Sequence, residues 1–232
     1  MLIKVKIYFL NINIYKMDYI FIIIILMLLY SCVMYYLIQK HKNYEKRKVD
    51  KKYYIQTFFN IFTSFIVYYF IFINKEKLFV GEFTFNIKNI IFYFIFIDTL
   101  LYWGHRLTHR IPMLKNMIHS LHHNIVELLP LDFMYLTVMD YNLYFLIDMV
   151  IPLFFINISQ FEYFLTVGLI YWQSMYIHSD VNFTFPIPGF IHSKYHKRHH
   201  KIGGGNYGQY FPIWDEYMGT KIKRRLHKKN KV

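Results

Sequence analysis

From Tyr19 to Ile38 the chain runs about one bilayer crossing of apolar residues without a charge. Four more apolar stretches follow: Phe58–Ile73, Ile90–Tyr102, Tyr141–Ile158 and Phe161–Ile177. Lipid offers no partner to backbone polar groups, so spanning segments satisfy them internally as helices. This pattern predicts an all-α integral membrane protein with about four to five membrane helices. Asp148 interrupts the fourth stretch, and a short turn near Asn157 and Ser159 joins it to the fifth. That pair reads either as two crossings or as one re-entrant hairpin that dips into the bilayer and returns. The first run is long and lacks a small-residue cleavage site, so it reads as a signal anchor rather than a removable signal peptide.

The net charge is +13. Nucleic-acid binding is one reading of such a balance. The basic residues, however, gather beside apolar segments, in Lys40–Lys52, Lys194–Lys201 and Lys221–Lys231. This is the positive-inside pattern of membrane proteins, and a nucleic-acid partner is not expected. The basic loop after the first span is then cytoplasmic. Two more crossings bring His105 to the same side, and a hairpin that leaves and returns brings residues 178–232 there too. Cys32 is the only cysteine and falls in an apolar run, so neither an intrachain disulfide nor a cysteine-based zinc site is open to this chain.

Ten of the twelve histidines lie between His105 and His200. Eight form three clusters: His105 and His109; His119, His122 and His123; His196, His199 and His200. His178 and His192 stand alone between the last two clusters. Residues three or four apart share a helix face, so each cluster can aim imidazoles at one point. A single ion with an open position takes about three to five protein ligands, and so many histidines suggest two metals side by side. His41 and His227 lie in lysine-rich runs and read as surface residues.

A site held mainly by neutral nitrogen suits redox-active iron or copper, or zinc acting as a Lewis acid. The protease pattern H-E-x-x-H and the Glu-x-x-His repeats of soluble di-iron bundles are absent, and there is no G-x-S-x-G elbow. A haem pair needs only isolated histidines. A di-iron oxygenase acting on lipid fits best.

The stretch DTLLYWGHRLTHR (98–110), then HSLHH, then HKRHH followed by NYGQYFPIWDEYMGT (206–220), resembles the fatty acid hydroxylase superfamily, and within it the sterol desaturase branch. The resemblance spans Asp98 to Thr220. It implies a membrane enzyme with a histidine-ligated centre of two irons. Such enzymes use O2 and electrons relayed from NAD(P)H, often by a separate cytochrome b5-type carrier, to hydroxylate or desaturate a membrane lipid. It implies His105, His109, His119, His122, His123, His178, His196, His199 and His200 as metal ligands; the position of His192 is histidine in some relatives. Asn206 matches a family asparagine that can act on metal-bound water. Asp98 is placed to accept a hydrogen bond from a ligand imidazole. Many sterol-type relatives carry His-Pro-x-Glu or His-Pro-x-Asp after the second cluster, where this chain has Thr137-Val-Met-Asp140 and only the acid survives.

The expected organisation is an N-terminal extension with the first two spans (1–89), a catalytic core (90–220) and a basic tail (221–232), with the histidines forming a di-metal helical cap on the cytoplasmic face. The resemblance places the chain in the endoplasmic reticulum. Two other readings remain open at this point: a zinc-dependent membrane hydrolase, and an inactive relative that only binds membrane.

Overall fold

The computed structural model describes residues 51–179 and 188–223. The expected first span, with Cys32, His41 and His227, lies outside the described residues. What is described is helical, with no strand among it. Two of its helices are long and apolar enough to cross a membrane.

The first, α1 (Lys51–Ile73), covers the second expected span. Its outward face exposes Phe58, Phe62, Phe65, Ile66 and Tyr69, while Asn60 and Ser64 are buried. This inversion suits a lipid-facing helix, because between helices in lipid polar side chains, not apolar ones, supply the specific attraction. Asn60 Nδ2 donates to the carbonyls of Met134 (2.8 Å) and Leu136 (3.0 Å), and Ser64 Oγ meets the Tyr141 hydroxyl at 2.6 Å.

The second, α2 (Ile87–Arg110), begins at Asn86, whose side chain caps Lys88 N–H. The third span and the first histidine cluster form this one helix. Its inward stripe of Tyr93, Phe94, Ile97 and Leu101 packs in a core with Tyr141, Phe145, Met149, Tyr163, Val167 and Ile170.

The hairpin is less regular than two crossings require, and neither arm passes as a membrane-crossing helix by length and composition. After a π-helical turn at Lys115–His119 and the short α3 (Ser120–His123), α4 (Val138–Phe145) changes into a π turn (Leu146–Val150) and then a 3-10 turn (Ile151–Phe154). Pro152 explains the break, since it has no N–H to donate and its ring crowds the carbonyl four residues back, that of Asp148. The carbonyls freed there are not left bare. The Tyr93 hydroxyl donates to Asp148 O (2.6 Å) and the Tyr163 hydroxyl to Met149 O (3.0 Å). Irregular backbone at this depth is tolerated because it is enclosed by protein.

The returning arm, α5 (Gln160–Ile177), starts with a capping box in which Ser159 and Glu162 satisfy each other's backbone N–H. The fully buried Glu162 also accepts from Asn86 N–H (2.6 Å) and Asn89 Nδ2. One carboxylate therefore fixes the starts of α2 and α5 together. From Ile87 to His105 and from Gln160 to His178 both helices climb the same number of residues, about 27 Å at 1.5 Å each. The shared anchor at one end brings His105 and His178 to one level at the other. There α6 (Ser193–Ile202) packs on α5, and α7 (Ile213–Tyr217) closes the described chain.

Candidate metal centre

Nine histidines meet at that level in two adjoining groups. One holds His105, His109, His119, His123 and His199, and the other His122, His178, His196 and His200; within each group the candidate ligand atoms lie within 4.8 Å of one another. The helical spacing explains the sorting. Each pair four residues apart (His105 and His109, His119 and His123, His196 and His200) stays in one group, because such residues stack on one face. The third member of each triplet, His122 or His199, crosses to the other group and so stitches the two together. Where the groups adjoin, the His123 and His200 rings stack with centroids 4.7 Å apart.

The ring nitrogens divide into two sets. Nδ1–H groups point outward to fixed acceptors: His105 to Tyr207 O (2.9 Å), His178 to Ser174 O (2.7 Å), His199 to Gly205 O (2.8 Å), His200 to Ile125 O (3.0 Å) and His119 to Asp140 Oδ2 (2.7 Å). In these five the Nε2 lone pair consequently faces inward. Nε2 atoms approach one another at 3.1 Å (His105 and His119) and 2.9 Å (His123 and His199) in the first group. In the second the separations are 3.3 Å (His122 and His178), 3.1 Å (His178 and His196) and 3.1 Å (His196 and His200). Between His105 and His119, whose protons are both held on Nδ1, the two lone pairs converge with no donor between them and repel. A cation at their centre reverses the sign, and two nitrogens each about 2.1 Å from one ion at right angles stand about 3.0 Å apart. His109, whose ring nitrogens are buried without a hydrogen-bond partner among the described residues, fits the same demand. The donor set thus fits two metal ions, with the outward Nδ1–H bonds fixing tautomer and ring orientation.

Burial keeps these rings neutral. It pushes His123 down to about 3 and His178 down to about 4, and it holds His119, His122, His196, His199 and His200 well below the usual 6.5, with neighbouring imidazoles adding to the effect in those five. A histidine whose pKa is lowered on folding takes up protons more readily in the unfolded chain, so its stabilising share is present above about 6.5 and is lost as pH falls. Metal-stripped protein in detergent should therefore hold a constant melting temperature above pH 6.5 and lose it steadily toward pH 4. A flat profile across that range would mean that the rings are open to water.

The other expected site residues are placed differently. His192 joins neither group. It is exposed, caps α6 in an extended conformation, and its Nδ1 lies 3.3 Å from the Tyr176 hydroxyl. The helix starts only at Ser193, so the face-sharing rule does not reach it. Asp98 touches no imidazole. Its Oδ1 accepts the backbone N–H groups of Gln209, Tyr210 and Phe211. Asn206, expected at a metal-bound water, has both polar side-chain atoms occupied by backbone: Nδ2 donates to Tyr195 O and Oδ1 accepts from Ile222 N–H.

Two acids that the spacing of the histidines does not single out complete the centre. Asp140, fully buried behind His119, fills the carboxylate role expected of Asp98. Burial pushes its carboxyl up to about 8, while the facing Nδ1–H favours the ionised form. Its signal was the lone acid remaining after the second cluster. Asp215 accepts from Tyr207 N–H (2.9 Å), Gly208 N–H (2.8 Å), Thr220 Oγ1 (2.6 Å) and the Tyr195 hydroxyl (2.8 Å). Asp98 and Asp215 together bind five successive N–H groups, residues 207–211, and this loop turns the carbonyls of Gly205 and Tyr207 onto His199 and His105.

Beneath the histidines lies a cavity of about 80 Å³. His105, His119 and His178 line one end, and Phe145, Met149 and Ile170 line the sides.

The comparisons with known proteins agree with this geometry. The fatty acid hydroxylase family model matches residues 90–220, over half of the chain. A methylsterol monooxygenase of Aspergillus fumigatus is 30% identical over 139 residues, which cover 56% of this chain and 46% of that protein. A lathosterol oxidase of Rattus norvegicus is 31% identical over 146 residues, covering 58% of this chain and 45% of that protein. The chain thus spans about half the length of the curated relatives it matches. No solved structure gives a significant match. With two histidine groups on the helices where the motifs predict them and a family match across that whole core, the chain belongs to the fatty acid hydroxylase family, in its sterol desaturase branch.

Proposed function

We propose that this protein is an O2-dependent membrane lipid oxidase, a hydroxylase or desaturase with sterol the preferred substrate class, built on two irons held by the nine grouped histidines. The observation that carries the reading is the convergence of nine imidazoles in two groups, five of them with Nδ1–H already committed to backbone or to Asp140 so that their Nε2 lone pairs face inward. Bound there, a pair of redox-active irons supplies the electron transfer to O2 that breaking a lipid C–H bond requires. Hydroxylation consumes O2, two electrons and two protons and returns an alcohol and water. Desaturation consumes the same and returns an alkene and two waters.

The chain's own residues do the rest. Asp140 fixes the His119 ring, the loop of residues 205–211 fixes His105 and His199, and the apolar cavity walls exclude water while they align the substrate. Electrons come from a separate NAD(P)H-linked carrier of cytochrome b5 type, for which the exposed Lys194 and Lys201 on α6 offer positive charge beside the centre. In this reading the histidine face is cytoplasmic, which the charge pattern supports, and the membrane is that of the endoplasmic reticulum.

Detergent-purified protein should carry about two irons per chain. Expressed in a host lacking its own sterol desaturase, it should yield a new oxidised or unsaturated lipid that disappears without O2. Zinc alone with O2-independent turnover would replace this reading with a hydrolase. Iron-free protein and an unchanged lipid profile would leave only membrane binding.

A further inference from the structure

An unbroken file of aromatic rings runs from the five-histidine group to the surface. The Tyr207 ring lies 5.6 Å from that of His105, 5.4 Å from His109 and 5.8 Å from His199. Tyr102 follows at 6.2 Å from Tyr207, Trp214 at 6.0 Å from Tyr102, and Tyr217 at 6.1 Å from Trp214. These are the spacings of interacting ring pairs. Trp103, 5.4 Å from Tyr102 and 6.0 Å from Trp214, sets a second indole beside the middle step. Tyr207 and Tyr102 are buried, whereas Tyr217 at the far end is 80% exposed, next to the exposed ion pair of Lys221 with Glu216.

Ring packing alone does not require the polar device at Tyr102. Thr220 Oγ1 gives its proton to Asp215 Oδ1 (2.6 Å), so it accepts from the Tyr102 hydroxyl (2.9 Å). The phenol proton thus has a path through Thr220 to a buried carboxylate, each step within hydrogen-bond reach. A phenol yields an electron readily only when its proton can leave as well. Tyr144 is the contrast. Its ring is 6.2 Å from those of His105 and His119, yet its hydroxyl is buried without a partner among the described residues.

We propose that this file drains oxidising equivalents from the metal centre to the surface when O2 reacts there and no substrate is bound. The proposal rests on the lipid-oxidase reading above and adds a protective activity to it. Phenols and indoles give up electrons only to strong oxidants, so the file serves the oxidised centre and not the low-potential electrons of NAD(P)H. Tyr102 passes one electron across the Tyr207 ring to the O2-oxidised irons, and its proton moves to Thr220 as Thr220 releases its own to Asp215. Trp214 then returns an electron to Tyr102, and the proton comes back along the same bonds. Tyr217 returns an electron to Trp214 and releases its phenol proton to water. A one-electron reductant in solution, of the ascorbate class, restores Tyr217 by giving it a hydrogen atom. Each passage takes one hydrogen atom from the reductant, delivers an electron to the centre and leaves a proton in water.

The test uses full-length, iron-loaded protein in detergent, reduced without air and then mixed with O2 in the absence of lipid substrate. A nitroso spin trap followed by peptide mapping should find the trapped radical on Tyr217 in wild type, and ascorbate should abolish it. Tyr102→Phe and Trp214→Phe, compared at wild-type iron content, should lose the Tyr217 adduct, while Tyr144→Phe should keep it. Tyr217→Phe, a change at an exposed ring that leaves the core alone, should accumulate oxidised histidine and shed iron faster than wild type with ascorbate present. If O2 oxidises the irons but wild type shows no radical on Tyr217, or if Tyr102→Phe and Trp214→Phe both keep the full adduct, the proposal is overturned and the oxidase reading stands. A Mössbauer spectrum that stays ferrous after mixing with O2 would overturn both.

Discussion

Replacing His199 with alanine should cut turnover by more than about a hundredfold and lower bound iron toward one per chain, since losing even a partner behind a metal ligand costs about 10–100-fold. His199 is the only member of the five-histidine group that comes from α6. Its ring lies 4.4 Å from that of His105, 4.8 Å from His109 and 4.6 Å from His123. The other four members come from α2 and from the turn ending in α3. Without His199 they lose their link to α6, whose own pair, His196 and His200, serves the second group. His192→Ala is the matched comparison: it removes an imidazole from the opposite end of the same helix but from neither group, and it should keep iron and turnover. Metal analysis and lipid turnover on both variants give the answer. Full iron and full activity in His199→Ala would remove it from the centre, and a loss in His192→Ala equal to that in His199→Ala would mean that the two-group division is wrong.

The contrast between these two histidines marks how far the sequence could be read. Spacing of three and four residues announced the clusters because helical faces are periodic. It could not say that His192 sits before the helix begins, since a cap is decided by backbone turns whose partners lie far along the chain. Nor did it say which histidine of a triplet goes to which group; that follows from how the chain turns into α3 and α6, in the first case through the π turn at Lys115–His119. The apolar runs announced α1 and α2. The hairpin was announced as ambiguous at Asp148, and the break does fall there, although its cause is Pro152 acting one turn back. Asp98 was singled out for the right site but the wrong contact. A carboxylate that binds three backbone N–H groups is indistinguishable in sequence from one that binds an imidazole, because the difference lies in where residues 209–211 return. Asp140 was visible only as a residual acid, and its partner His119 is brought to it by the turn at Thr137, whose hydroxyl caps α4.

Asp215→Ala should be the most damaging substitution outside the histidines. The carboxylate is fully buried and takes four hydrogen bonds, from Tyr207 N–H, Gly208 N–H, Thr220 and Tyr195. Alanine leaves two backbone donors and two hydroxyls without an acceptor in a space closed to water. Loss of such a buried charged network costs about 3–5 kcal/mol, which for a chain of this length lowers the melting temperature by roughly 10 °C. The damage should also reach the metal centre, because the loop held by Asp215 carries the Gly205 and Tyr207 carbonyls that orient His199 and His105. Thr220→Ala, which removes one of the four donors and leaves only the Tyr102 hydroxyl without its acceptor, should cost less. Gly208→Ala tests the loop by another route, since a Cβ there would sit 2.3 Å from Phe211 O and 3.2 Å from Asp215 Oδ2 and force the backbone to move while the Asp215 carboxylate is retained. Both Asp215→Ala and Gly208→Ala should lower iron occupancy along with the melting temperature. A stable, fully loaded Asp215→Ala protein would mean that the histidines hold their places without this loop, and that the Trp-Asp…Gly-Thr ending serves something other than the centre.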